Sequence, residues 1–159
     1  MKLIQFIAVT MFFLQSCDSN DEEKPCCNVD LDFQIEMIDS SGNDLLNPSF
    51  GGSFNHSEIS YYKFDEDSNK VEMILENNFI IAPSNNGVSK YFLNITEIGT
   101  KQSDGSYLSY LKLSSDITDT VKVKTIEENG NVYKDKIWYN DNLVWEKTGL
   151  STLPIVITK

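Results

Sequence analysis

The sequence predicts an all-β fold, an antiparallel β-sandwich of two sheets, with a partly closed β-barrel as the alternative. Three observations point there. From Val29 to Met37 apolar and polar residues alternate without a fault, the period-two signature of a half-buried strand. Short runs of strand character then recur along the chain, most of them separated by Gly, Asn, Asp, Pro or Ser. Helical periodicity is not sustained anywhere over more than roughly ten residues, and short strands at this spacing favour a sandwich over a parallel α/β fold.

The first strand sets Val29, Leu31, Phe33, Ile35 and Met37 on one face and Asp30, Asp32, Gln34 and Glu36 on the other. It ends at Asp39-Ser40-Ser41-Gly42-Asn43-Asp44, which opens a long irregular loop through Leu45-Leu46-Asn47-Pro48 and Gly51-Gly52. Strand-like runs follow at Glu58 to Phe64, Val71 to Leu75, Phe79 to Ala82, Ser89 to Ile98 and Ser106 to Ser114. The last four are Thr120 to Ile126, Val132 to Tyr139, Leu143 to Lys147 and Pro154 to Thr158. Between Ile137 and Trp145 the chain reads as a tight hairpin. A two-residue turn at Asn140-Asp141 or Asp141-Asn142 would set Trp138 and Trp145 on one face, because a register shift of two preserves facing. Such a pair is either core or an exposed platform for stacking on sugar rings, and core is the expected state of large aromatics in a small sandwich.

Ahead of this domain, residues 1–16 carry Lys2 and an apolar run from Leu3 to Leu14 interrupted by Gln5 and Thr10. That is too short to span a bilayer, which takes about twenty residues. Leu14-Gln15-Ser16-Cys17 resembles the lipobox of bacterial lipoproteins. The resemblance implies cleavage before Cys17, a diacylglyceryl thioether on its sulfur and an acyl chain on its new amine. One acyl chain binds membranes only marginally, so two or three make the lasting anchor. The stretch from Cys17 to Asn28 then reads as an acidic tether, Asp18-Ser19-Asn20-Asp21-Glu22-Glu23, without apolar periodicity. An acidic run behind a lipidated cysteine resembles the export signal of Bacteroidota surface lipoproteins, which implies the outer face of the outer membrane; the periplasm-facing leaflet is the alternative. The first strand running into Gly42-Asn43-Asp44-Leu45-Leu46-Asn47-Pro48, together with the tryptophan hairpin, resembles a group of uncharacterised Bacteroidota lipoproteins with an immunoglobulin-like sandwich. That resemblance implies a fold over residues 29–159 and no activity.

Composition narrows the function classes. The 159-residue chain has a formal charge of −11, which repels nucleic acid and anionic lipid head groups. All 13 basic residues are lysine, so the planar fork that grips phosphates bidentately is missing. With Cys17 lipidated, Cys26 and Cys27 remain, adjacent at the junction of tether and domain. Free thiols, an intermolecular bridge or a strained vicinal bond all stay open for them.

Three local patterns bear on chemistry. Asp65, Asp67 and Asn69, with Glu76, fall at positions one, three, five and twelve of an EF-hand loop. Lys70 stands where that loop needs glycine, and the flanks read as strands, so the candidate reduces to Asp65, Asp67 and Asn69 as a non-helical calcium site or an acidic hairpin turn. His56 is the single histidine, near Ser53 and Ser57, with no nucleophile-elbow pattern around either serine. Asp119-Thr120-Val121 resembles the O-glycosylation motif of the Bacteroidota. The sequence thus leads to the expectation of a lipid-anchored, non-catalytic binding or accessory module with a protein or glycan ligand and no required cofactor. A structural component of an envelope assembly is the alternative, and a hydrolase a more remote one.

Overall fold

In the computed structural model the described residues are 28–73, 79–83, 89–147 and 154–159, with the backbone alone described at 79–83 and 89. Residues 1–27, on which the expected leader, the expected lipidation at Cys17, and Cys26 and Cys27 fall, lie outside them, as does Glu76. The fold is all-β. Its strands are β1 (Val29–Asp30), β2 (Phe33–Ile38), β3 (Ser60–Phe64), β4 (Lys70–Met73), β5 (Phe79–Pro83) and β6 (Ser89–Ile95). They continue as β7 (Thr100–Lys101), β8 (Ser106–Lys112), β9 (Thr118–Glu128), β10 (Asn131–Tyr139), β11 (Asn142–Glu146) and β12 (Ile155–Thr158). A single 3-10 turn at His56–Glu58 is the only helical element among the described residues.

Two sheets result. The eight-stranded sheet runs β1-β10-β9-β8-β3-β4, with β11 also pairing β10 and β7 also pairing β8; the four-stranded sheet runs β12-β2-β6-β5. Their facing side chains form one core. Phe33, Ile35 and Met37 of β2 and Leu93 and Ile95 of β6 meet Tyr61, Leu111, Val121, Val123 and Ile137 of the large sheet. Burying a side chain of this size contributes about 1.5–3 kcal/mol. The Tyr61 hydroxyl enters this core without an orphaned group. It donates to Ser109 Oγ, because the serine spends its own proton on the Val121 carbonyl at 3.1 Å.

The first strand departs from the sequence expectation. The alternation is one run from Val29 to Met37, but the chain leaves strand geometry at Leu31-Asp32 and changes sheet. β1 lies parallel to β10 in the large sheet, and β2 pairs β6 and β12 in the small one. Val29 is therefore 56% exposed while Phe33, Ile35 and Met37 are buried. Such a switch between sheets is one way a sandwich makes its corners. β1 is held by Lys134 Nζ, 2.7 Å from Asp30 Oδ1, and by the Val132 amide donating to the Asn28 carbonyl. The parallel pairs β1/β10 and β12/β2 also qualify the antiparallel expectation.

The loop after β2 closes one end of the core. Leu45 and Leu46 are buried in it, and Asp44 ties it to the small sheet. One Asp44 oxygen accepts the Leu46 amide and the other the Tyr91 amide, both at 2.9 Å. The β2–β6 ladder runs only from Phe33↔Ile95 to Ile35↔Leu93, so the Asp44 carboxylate serves the β6 backbone beyond the end of that ladder.

Candidate functional site

The outward face of the eight-stranded sheet carries the strongest candidate. Because facing alternates along a strand, the inward residues Tyr61, Leu111 and Val121 turn Tyr62, Tyr110 and Thr120 outward, and register sets these three side by side. Tyr62 and Tyr110 stack with centroids 5.3 Å apart and planes 15° from parallel. Phe64 meets both edge-on, at 5.7 Å and 5.2 Å. The neighbouring rung is Thr100↔Leu108↔Lys122↔Trp138↔Leu143. Lys122 Nζ lies 5.0 Å from the Trp138 ring centre, and Lys70 Nζ lies 4.1 Å from that of Tyr62. Phe64 is 38% and Leu143 50% exposed. A depression of 200 Å³ lies against this ridge, lined by Phe64, Asp65, Thr100, Gln102, Leu108 and Tyr110. Its floor is rigid for a local reason. Gly99 packs so closely on β8 that a Cβ there would sit 1.8 Å from the Leu108 carbonyl oxygen, and the Thr100 hydroxyl donates to the Phe64 carbonyl.

Trp138 belongs to this face, but Trp145 does not. The turn is the two-residue Asn140-Asp141, with φ of 46° and 63°, the left-handed pair of a type I′ hairpin. A β-bulge then intervenes: Trp138 pairs Leu143, whereas Ile137 pairs Trp145. The extra residue turns Trp145 toward the side of Ile137, where it packs against the core with Val144. The shared face expected for Trp138 and Trp145 is thus corrected to opposite faces, and no joint platform forms. Trp145 Nε1 is buried and has no hydrogen-bond partner among the described residues.

The acidic loop between β3 and β4 is organised by its own first residue. Asp65 Oδ1 accepts the Asp67 and Asn69 amides at 3.0 Å and 2.8 Å, and Asn69 Nδ2 donates to Asp65 Oδ2 at 3.2 Å. The bond from the Asn69 amide is the main influence holding the Asp65 carboxyl below its usual value. Asp65 and Asn69 thus meet one another across a five-residue hairpin loop. No group of three or more His, Cys, Asp or Glu side chains among the described residues is arranged to hold a metal.

His56 lies in the 3-10 turn, its Nε2 2.6 Å from the Leu46 carbonyl. That oxygen only accepts, so this nitrogen carries the proton. Ser57 Oγ donates to Asn55 Oδ1 at 2.9 Å, and the Ser53 amide donates to the Phe50 carbonyl. These bonds fasten the loop over the core.

Asp119, the acid of the glycosylation-like tripeptide, is buried. Its carboxylate accepts Tyr139 Oη at 2.5 Å and Asn140 Nδ2 at 2.6 Å, and Lys159 Nζ as well. Burial opposes its ionisation, but the bonds from Asn140, Lys159 and Tyr139 outweigh that and hold the carboxyl below its usual value. The Thr120 amide donates to Asn140 Oδ1 at 2.8 Å. The cluster pins the end of β12 to the β9–β10 pair and so works as a fastening.

The sequence flagged Trp138 in the ridge and missed Tyr62, Phe64 and Tyr110. Their spacing of two along each strand was visible. What was not visible is that β3 pairs β8, which alone brings Tyr62 against Tyr110. Comparison with known protein families, curated proteins and solved structures finds no match to this chain.

Proposed function

We propose that the chain is a lipid-anchored envelope protein whose sandwich is a non-catalytic binding module, with its outward large-sheet face as the contact surface for a protein partner. The observation that carries the binding reading is the ridge of Tyr62, Phe64, Tyr110 and Trp138 on a rigid sheet face. Aromatic residues are enriched where proteins meet, because they bring large apolar area at low entropic cost and keep a polar tip for hydrogen bonding. Stacking on a sugar needs an open ring face. Tyr62 and Tyr110 occupy one another's faces, Lys70 lies over Tyr62 and Lys122 over Trp138, so each of these rings already has a face engaged within the chain. That favours a protein over a glycan.

The anchor rests on Leu14-Gln15-Ser16-Cys17 and the acidic residues behind it. Labelling cells with radioactive palmitate tests it: the wild-type chain takes up label and Cys17→Ser does not, while equal labelling of both contradicts lipidation at Cys17. Protease added to intact cells removes a surface-displayed chain and spares one that faces the periplasm. The contact face is tested by substituting Tyr62, Tyr110 and Trp138 together with serine. The account expects the chain's cross-linked adducts in intact cells to disappear with strand content retained by circular dichroism, and an unchanged adduct pattern contradicts it.

A further inference from the structure

On its β8–β9 side the ridge is bordered by charge opposite to that of the whole chain. Acidic side chains outnumber lysines by 24 to 13. Yet across the β8–β9 pairs from Lys112↔Thr118 to Ser106↔Lys124, the outward positions hold Lys112, Lys122 and Lys124 and no Asp or Glu. On the flanks of the same face, Lys70 is paired with Glu72 at 2.5 Å and Lys136 with Glu146 at 2.6 Å. Lys112, Lys122 and Lys124 form no ion pair among the described residues. Asp104, in the turn before β8, bends its carboxylate to the Ser106 amide and hydroxyl at 2.9 Å and 2.5 Å, and it lies within the electrostatic reach of Lys122 and Lys124.

The lysines border the aromatic ridge. Lys122 is the cross-strand neighbour of Leu108, which lines the 200 Å³ depression with Phe64 and Tyr110. The surface therefore offers a small depression, walled by Phe64, Leu108 and Tyr110 on its apolar part and by Asp65, Thr100 and Gln102 on its polar part, beside three lysines that form no ion pair among the described residues. A partner suited to it brings one apolar side chain for the pocket and carboxylates for the lysines. Complementary charge raises the encounter rate and rejects wrong partners, while a buried anchor supplies most of the affinity.

We propose that this face docks an acidic segment of a partner protein, with an apolar side chain in the Phe64–Leu108–Tyr110 depression and Asp or Glu side chains on Lys112, Lys122 and Lys124. The proposal rests on the protein-binding reading of the same face and specifies its partner. A second copy meeting through the same face would set lysine against lysine, so self-association there is disfavoured.

The test uses the full chain purified in detergent, titrated calorimetrically with a short peptide of glutamates around one leucine. Its counterpart with glutamine at every glutamate is the control. The proposal expects the glutamate peptide to bind, the glutamine peptide not to, and added salt to weaken the complex. Replacing the three lysines together (K112Q, K122Q, K124Q) weakens it about tenfold, while arginine at the same positions retains it. Equal binding of both peptides, or full affinity in the glutamine triple variant, overturns the proposal. Binding of polygalacturonate with no binding of the glutamate peptide overturns it in favour of an anionic glycan. If neither probe binds, the acidic-partner proposal falls. The protein-binding reading then stands if Tyr62→Ser/Tyr110→Ser/Trp138→Ser still abolishes cross-linked adducts in cells, and falls with it if those adducts are unaffected.

Discussion

Asp119 shows how much of this molecule is decided by single carboxylates. It is buried, charged and satisfied by Tyr139, Asn140 and Lys159, and hydrogen bonds to an ionised group are worth about 1.5–3 kcal/mol each. Asp119→Ala leaves the Lys159 ammonium and the Tyr139 hydroxyl without their acceptor, with an expected loss of about 3 kcal/mol in urea unfolding. The pH dependence follows from the depressed folded value. Its contribution is complete above the ordinary carboxyl value of 3.8 and is lost as pH falls through the lower folded value. Stability therefore falls in acid below about pH 4, and Asp119→Asn flattens that limb; an unaltered acid limb contradicts the assignment. Gly99 is the other residue with no substitute. A Cβ against the Leu108 carbonyl moves backbone, so Gly99→Ala is expected to cost about 3 kcal/mol or more, read as a lowered unfolding midpoint. Neither role was legible beforehand. Asp119 looked like part of a glycosylation-like tripeptide, and its partners come from the end of β10, the turn after it and the residue that follows β12.

At the scale of elements, the sequence was readable wherever one face was dry. The strands from Ser60, Ser106, Thr118 and Asn131 fall within two residues of the boundaries that alternation and turn residues predict. The misreadings occur where the ladder breaks its period. Alternation passes unbroken through Leu31, where the chain changes sheet, and the bulge opposite Ile137/Trp138 re-aims Trp145, because an inserted residue reverses facing without altering local composition. The two-residue strand β7 escaped notice: its ladder consists of two pairs with β8. The turns give two predictions. Asp141 has φ of 63°, where an L side chain costs about 1 kcal/mol relative to glycine, so Asp141→Gly is expected to raise the unfolding midpoint. Asn140 shares the left-handed geometry but also supports Asp119 and Thr120, so Asn140→Gly is expected to lower it. In the β3–β4 loop the Asp65 carboxylate already serves Asp67 and Asn69. Chelation is therefore expected to leave the melting temperature unchanged, and a chelator-induced drop would restore calcium to that loop, since a ligand at a hundred times its Kd adds about 2.7 kcal/mol.

At the scale of the whole molecule, the central strands of the large sheet carry a local charge that composition hides. Net charge sums over the chain, whereas a partner meets one face. Register places Lys112, Lys122 and Lys124 beside Tyr110 and Trp138 on the outward side of the central strands, while acids such as Asp39, Asp65, Glu66, Asp67, Asp104 and Asp141 lie in the connections between strands. The sequence carried the class of fold. It did not carry the site, because that depends on the pairing of β3 with β8 and of β8 with β9, which local patterns do not specify. The central claim is that the outward face of the large sheet is where the proposed protein partner meets the domain. Leu143 on that face and Val156 on the outer side of the small sheet are 50% and 51% exposed, a matched pair of probe positions. With a photo-crosslinking amino acid at each in turn, in living cells, the account predicts a discrete protein adduct from position 143 and none from position 156. Adducts from 156 alone, or equal adducts from both, would contradict it.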